Sequence, residues 1–181
     1  MASNDFVTGL SRRTFLKVSA IWAGGMWVVG SAVASGQTYR TLTEQDAEIM
    51  DHLADCIIPP GEFAGGKEAG VTNFIDQQIS SEGHLQKDSV LYKVCLPAIN
   101  KGSETEYGSL FTELENDLQI AYLEKIESGA YDGEAKPANW YGFTPSSFFE
   151  TMRDQCMMGF YGSPKHGGNN NIVSFRMLGL Y

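Results

Sequence analysis

Three cysteines and three histidines carry the widest chemical repertoire in this sequence, and their spacing limits what they can do. Cys56, Cys95 and Cys156 lie 39 and 61 residues apart, which excludes the C-x-x-C patterns of zinc sites and haem attachment. His52, His84 and His166 are just as scattered, so no metal site is expected from them. Cys156 and His166, ten residues apart, form on paper a thiol nucleophile and its base. The plainer readings of Cys156 are a buried free thiol or a link to another chain. Glu113, Glu115 and Asp117 could offer a carboxylate pair for general acid–base work. They crowd the start of a predicted helix, where acidic side chains suit the macrodipole and solvent, and that reading is preferred. G-x-G-x-x-G, P-loop, G-x-S-x-G and H-E-x-x-H motifs are all absent from the sequence. Gly167-Gly168 is a two-glycine turn with no helix start behind it, and so not a phosphate cradle.

Chemistry of another kind sits near the start of the chain. Ser11-Arg12-Arg13-Thr14-Phe15-Leu16-Lys17 has the form S-R-R-x-F-L-K and resembles the twin-arginine export signal, with Arg12, Arg13, Phe15 and Leu16 at its defining positions. An uncharged, glycine-diluted run follows from Val18 to Gly36. Ala32-Val33-Ala34 gives a small-x-small pattern, so cleavage between Ala34 and Ser35 is expected. An uncleaved N-terminal anchor is the alternative. The organisation predicted is a signal peptide over residues 1–34 and one domain over residues 35–181. The twin-arginine route carries folded proteins, so its passengers either fold around a cofactor or travel bound to a partner that does. A periplasmic location follows. In that oxidising compartment one cysteine pair can close. Cys56 with Cys95 is the expected disulfide, joining the first and third helical segments and leaving Cys156 over.

Charge narrows the partners. Removing Asp5, Arg12, Arg13 and Lys17 with the signal takes the formal net charge from −9 to −11. Nucleic acid and anionic membrane surfaces both call for clustered Lys and Arg, and are excluded as partners. No second stretch is long and apolar enough to span a bilayer, so membrane contact is expected only through the signal or a partner.

The elements that must position these residues read as helices. Thr43 caps a segment whose Ala47, Met50, Leu53, Ala54, Ile57 and Ile58 form one apolar face, stopped by Pro59-Pro60-Gly61. Val71–Ile79 is a short second helix. Asp88 or Ser89 opens a third, which Pro97 kinks or shortens, and Lys101–Gly108 reads as polar linker. Leu114–Ser128 is the clearest helix, with Gly129 just past its end. Thr144-Pro145 starts a fifth, aromatic and Met-rich to about Tyr161. Residues 166–171 are not expected to hold regular structure, and Ile172–Tyr181 is an apolar tail that must dock. The fold class is all-α: one irregular domain of about five helices joined by long, glycine-rich loops.

These residues also meet a family. Asp51-x-x-x-Asp55-x-Ile57-Ile58-Pro59, then Gly70-Val71-x-x-Phe74-Ile75-Asp76, resembles the first half of the gluconate 2-dehydrogenase subunit 3 family. The end is more specific: Phe148-Phe149-x-x-Met152-Arg153, Gly159-Phe160-Tyr161-Gly162-Ser163-Pro164-x-His166-Gly167-Gly168-Asn169 and Met177-Leu178-Gly179-Leu180. His166 stands where an aromatic such as tyrosine is common, and Phe175 where tryptophan is expected; both keep a flat ring.

The resemblance implies a small, non-catalytic subunit that holds no cofactor of its own. Its partner would be a large flavoprotein with FAD, a dehydrogenase of the glucose-methanol-choline type without an export signal. That partner would oxidise a sugar, sugar acid or glycoside and pass electrons on, often to a cytochrome c. Contact with it is expected through Trp140, Tyr141, Tyr161, His166, Gly167, Gly168 and Asn169, the competing reading being that these pack the subunit's own core. Two other classes stay open: an autonomous periplasmic enzyme or metal protein, and a membrane-anchored structural subunit.

Overall fold

Thr43 opens the first helix, α1 (Glu44–Ile57), with a reciprocal cap. Its Oγ1 accepts the Asp46 N–H at 3.1 Å, and Asp46 Oδ2 accepts the Thr43 N–H at 3.3 Å. Such a cap stabilises a helix by about 1 kcal/mol. Ala47, Met50, Leu53 and Ala54 are buried on the face their spacing predicts. The computed structural model describes residues 38–134 and 136–181. The export-signal positions Arg12, Arg13, Phe15 and Leu16, and the cleavage position at Ala34 and Ser35, lie outside them.

Five more helices follow: α2 (Val71–Gln78), α3 (Ser89–Tyr107), α4 (Asn116–Glu127), α5 (Pro145–Tyr161) and α6 (Val173–Met177). No strand occurs among the described residues, so the fold is all-α, with six helices where about five were expected. Thr38–Tyr181 forms one folded unit. α5 is its axis, packing against α2 on one side and α4 on the other, with α1 and α3 completing the wall.

Phe148, Met152, Cys156 and Phe160 of α5 are buried together with Tyr92, Leu96 and Ile99 of α3 and Met50 and Leu53 of α1. Tyr92, the hydroxyl-bearing side chain among them, is paired. Tyr92 Oη donates to Gln155 Oε1 at 2.9 Å while Gln155 Nε2 donates to Asp88 Oδ2 at 2.8 Å. Asp76 of α2 is buried yet receives three main-chain donors, the N–H groups of Arg40, Thr41 and Leu42, at 2.7, 2.8 and 2.9 Å. It fastens the entry segment of the domain against α2.

One expectation about α3 is overturned. The helix passes through Pro97 and runs for 19 residues to Tyr107, so Lys101–Tyr107 is helix and not linker. Pro97 and Lys93 face solvent, where water satisfies the Lys93 carbonyl that the proline leaves without a donor. The last turn is then pinned from outside. Glu106 accepts hydrogen bonds from Lys125 of α4 and from the Tyr131 hydroxyl. Burial alone would push this carboxyl up; those two donors outweigh it and hold it below the usual range. Tyr107 packs edge-on to Tyr122 at 6.0 Å.

Candidate partner interface

The residues expected at a partner surface divide into three groups with different fates. Gly167-Gly168-Asn169 forms a clasp that folds the chain onto itself. After α5 the chain makes a 3₁₀ turn over Pro164–His166, and the Gly167 carbonyl accepts from Asn73 Nδ2 of α2 at 2.8 Å. Gly168 lies so close to α5 that a Cβ there would sit 2.3 Å from the Gly159 carbonyl oxygen. Asn169 is fully buried and left-handed (φ 49°). Its Nδ2 donates to the Gly162 carbonyl at 2.8 Å, and its Oδ1 accepts the Ser174 N–H at 3.0 Å. It thereby ties the end of α5 to the first turn of α6. A second 3₁₀ turn, Asn170–Ile172, hydrogen-bonds Asn170 N–H to the Ala69 carbonyl at 2.9 Å, so residues 166–171 are ordered after all. Gly168 and Asn169 therefore build the fold and present no anchor to a partner.

Trp140 and Tyr141 separate although adjacent. They lie on a tight turn closed by Phe143 N–H to the Trp140 carbonyl at 3.0 Å, with Tyr141 at φ 49° and Gly142 at φ 95°. Two successive positive φ angles give a type I′-like reversal that sends neighbouring side chains opposite ways. Trp140 enters the core, fully buried and 6.0 Å from Phe148, and so cannot meet a partner as expected. Tyr141 is 73% exposed. A bulky residue in the left-handed region is an outlier that carries strain. This turn abuts the start of α5, whereas Tyr161 and His166 stand at its end. The two groups are roughly 20 Å apart at 1.5 Å per helical residue from Phe148 to Tyr161.

Tyr161 and His166 are exposed, and so is most of the apolar tail that follows them in the chain. Only Val173 and Ser174 of the tail are buried. Met177, Leu178, Leu180 and Tyr181 stand in solvent. Docking of the whole of Ile172–Tyr181 is thus corrected to docking of its first turn. The rest is nevertheless ordered. Leu180 N–H reaches the Phe175 carbonyl at 2.8 Å and Gly179 N–H the Arg176 carbonyl at 3.0 Å, with Gly179 left-handed at φ 69°. That is a Schellman cap, which needs glycine or asparagine at its left-handed position. Tyr181 stacks on Phe175 at 6.1 Å. Gly179, one residue after a helix-length apolar run, was the signal for this turn.

A second concave surface lies between α1, α4 and α5, a groove of about 470 Å³ lined by Cys56, Ile120, Leu123, Phe149, Arg153 and Met157. Arg153 crosses its rim to Glu127 at 3.5 Å.

The cysteines do not cooperate. All three are free, so the Cys56–Cys95 bridge is not formed. Cys56 turns its thiol to Gln119 Oε1 at 3.7 Å, and Cys95 is buried in the core. Burial pushes the Cys56 thiol up to about 11 and Cys95 up to about 12. Cys156 is sealed against Met152 Sδ at 3.6 Å and raised further by burial, while His166 stands in solvent; the paper nucleophile pair fails. His52 Nδ1 meets Gln119 Nε2 at 3.0 Å, an amide that also donates to the Phe111 carbonyl. Among the described residues no group of three or more His, Cys, Asp or Glu is placed to hold a metal. Glu115 and Asp117 flank the start of α4 as a helix-terminal acidic pair. Asp51 and Asp55 hold the loop after α1: Asp51 accepts from Thr72 Oγ1 at 2.6 Å and Asp55 from the Lys67 N–H at 2.9 Å. Among the described residues no helix is long and apolar enough to cross a membrane.

A family model described as gluconate 2-dehydrogenase subunit 3 matches residues 44–180. Comparison with curated proteins and with solved structures gave no match.

Proposed function

The chain belongs to the gluconate 2-dehydrogenase subunit 3 family, subunits of a multi-subunit dehydrogenase, and from that premise we propose that it is the small, non-catalytic subunit of a periplasmic flavoprotein complex. The observation that carries the reading is the match over residues 44–180, nearly the whole folded unit. A catalytic partner is implied by the family; that it is a large FAD-dependent enzyme of the glucose-methanol-choline type is our reading. In such a partner FAD would supply the two-electron acceptor for oxidation of a substrate hydroxyl. The substrate class is a sugar, sugar acid or glycoside, and electrons leave to an acceptor such as a cytochrome c.

This chain contributes export and support. The pattern at Arg12, Arg13, Phe15 and Leu16, with Ala34 and Ser35 at its end, suits the twin-arginine route, so that one signal carries both subunits folded. The support it lends comes from a rigid helical body with aromatic and aliphatic side chains held outward, Tyr141 and Tyr161 among them. Aromatic anchors on an ordered surface suit subunit contact.

The test is a pull-down from the periplasmic fraction of the native host. An affinity tag goes into the exposed loop at Gly133, where nothing lies within 4 Å of an added Cβ. Copurification of a larger chain with oxidised-flavin absorbance is the expected result, and its activity on sugars and sugar acids then identifies the reaction. A lone, colourless chain overturns the proposal.

A further inference from the structure

The tail beyond α6 poses a question that the fold itself does not answer. Leu178, Leu180 and Tyr181 are 57%, 65% and 82% exposed, although Leu and Tyr of this number in one segment would ordinarily be covered. The tail is also not a loose end. Its Schellman cap, the Phe175–Tyr181 stack and the Asn169 clamp at its base fix its direction. Order without burial is what a surface prepared for a partner shows, because the conformational cost of binding has already been met. The family match continues through residue 180, across residues that add nothing to this chain's own core.

Charge says what kind of partner it is. The chain carries 22 acidic residues, yet none falls between Gln155 and Tyr181. That region holds only Lys165 and Arg176 as charged side chains, both exposed, with His166 next to Lys165 in the chain. Within the folded domain of a molecule of formal net charge −9, this acid-free end is apolar and carries cationic side chains.

We propose that the apolar tail strip of Leu178, Leu180 and Tyr181 is the face covered by the catalytic subunit, through an apolar patch rimmed with carboxylates. The inference rests on the subunit reading above. Leu180 and Tyr181 act as anchors, and Arg176 and Lys165 steer the encounter. The C-terminal strip, rather than Trp140 or the Gly168-Asn169 clasp, forms the contact.

The experiment uses the full chain, tagged at Gly133 and coexpressed with the flavoprotein that copurifies with it. Leu180→Ser with Tyr181→Ser should weaken the complex by about tenfold or more, chiefly through faster dissociation. Both side chains are mostly exposed, so an unchanged thermal midpoint is expected and separates lost contact from lost fold. Arg176→Glu should slow association and flatten its dependence on salt. Leu118→Ser on α4, 43% exposed and away from the strip, should change neither. Gly179→Ala keeps every anchor but strains the Schellman turn, and should weaken the complex by a smaller factor. Wild-type affinity in the double variant, with the wild-type complex intact, overturns the assignment of this face and leaves the subunit reading standing. Loss of self-association by the double variant, with flavoprotein binding unchanged, assigns the strip to a second copy of this chain and overturns it too. A wild-type chain that brings down no flavoprotein overturns the subunit reading and this inference together.

Discussion

Asn169 offers the sharpest test of the physical reasoning, because three separate costs meet at one fully buried side chain. Replacing it with alanine removes the donor to the Gly162 carbonyl and the acceptor for the Ser174 N–H, bonds of 2.8 and 3.0 Å. Each lost partner leaves a main-chain group short of a hydrogen bond, at about 1–1.5 kcal/mol apiece. Alanine at φ 49° adds roughly 1 kcal/mol that asparagine largely avoids. The sum is about 3–4 kcal/mol, a large fraction of the roughly 5–15 kcal/mol typical of a domain. Asn169→Gly loses the same bonds but not the backbone preference, and should cost about 1 kcal/mol less. Asn169→Asp keeps the acceptor but turns a carboxylate oxygen toward the Gly162 carbonyl, and should be no milder than alanine. Urea unfolding of the purified chain, followed by far-UV circular dichroism, reads all three as shifts in midpoint at constant slope. Alanine within 0.5 kcal/mol of wild type, or glycine worse than alanine, would refute the account of the clasp.

The packing of the core dictates three further outcomes. Trp140→Ala should destabilise by about 3–5 kcal/mol through the cavity left beside Phe148, whereas Tyr141→Ala should leave the unfolding midpoint nearly unchanged or raise it; thermal melts separate the two. Asp76→Ala strips three main-chain donors of their acceptor, so trypsin should cut after Arg40 far faster than in wild type, as mass spectrometry of the fragments would register. The thiols set an alkaline limit. Their folded pKa values are raised above the ordinary 9.0, so the stability they contribute is fully present below pH 9 and is lost as pH rises toward 11 and 12. Denaturation curves between pH 8 and 11 should show this decline, and Cys56→Ser should make it shallower.

How much of this could be read in the residues varies with the physics. Periodicity and caps are local, so Thr43, Pro145 and Gly129 marked their helix ends within a residue or two. Pro97 misled because a proline ends a helix only when the orphaned carbonyl cannot find water, and which way Lys93 faces is decided by tertiary packing. Trp140 and Tyr141 could not be assigned sides, since the left-handed backbone of Tyr141 and Gly142 sets which way each side chain leaves the turn. The glycines at 167 and 168 read as a two-glycine turn at the partner contact. Their cause is internal: Gly167 takes φ 94° against the Gln77 side chain, and Gly168 passes closely over Gly159 and Phe74, which no one-dimensional pattern encodes. The tail was read as core because an apolar run normally docks; only accessible area distinguishes docked from displayed.

The distribution of backbone strain argues for what the C-terminal end is for. Asn169, Asn171 and Ile172 all sit at positive φ, at 49°, 56° and 53°. For a β-branched isoleucine this region is a genuine outlier, costing roughly 1–2 kcal/mol. A domain selected for stability alone gains nothing from such a turn, because the helix it introduces, α6, buries only Val173 and Ser174. The strain persists because Asn169, Asn73 and the Ala69 carbonyl over-determine the path of the chain. What that path achieves is direction: it turns the chain off the end of α5 and aims an apolar, acid-free segment outward. Under the proposed assignment, contact made by that segment would offset the cost of the turn, which links the strained clasp to the exposed tail.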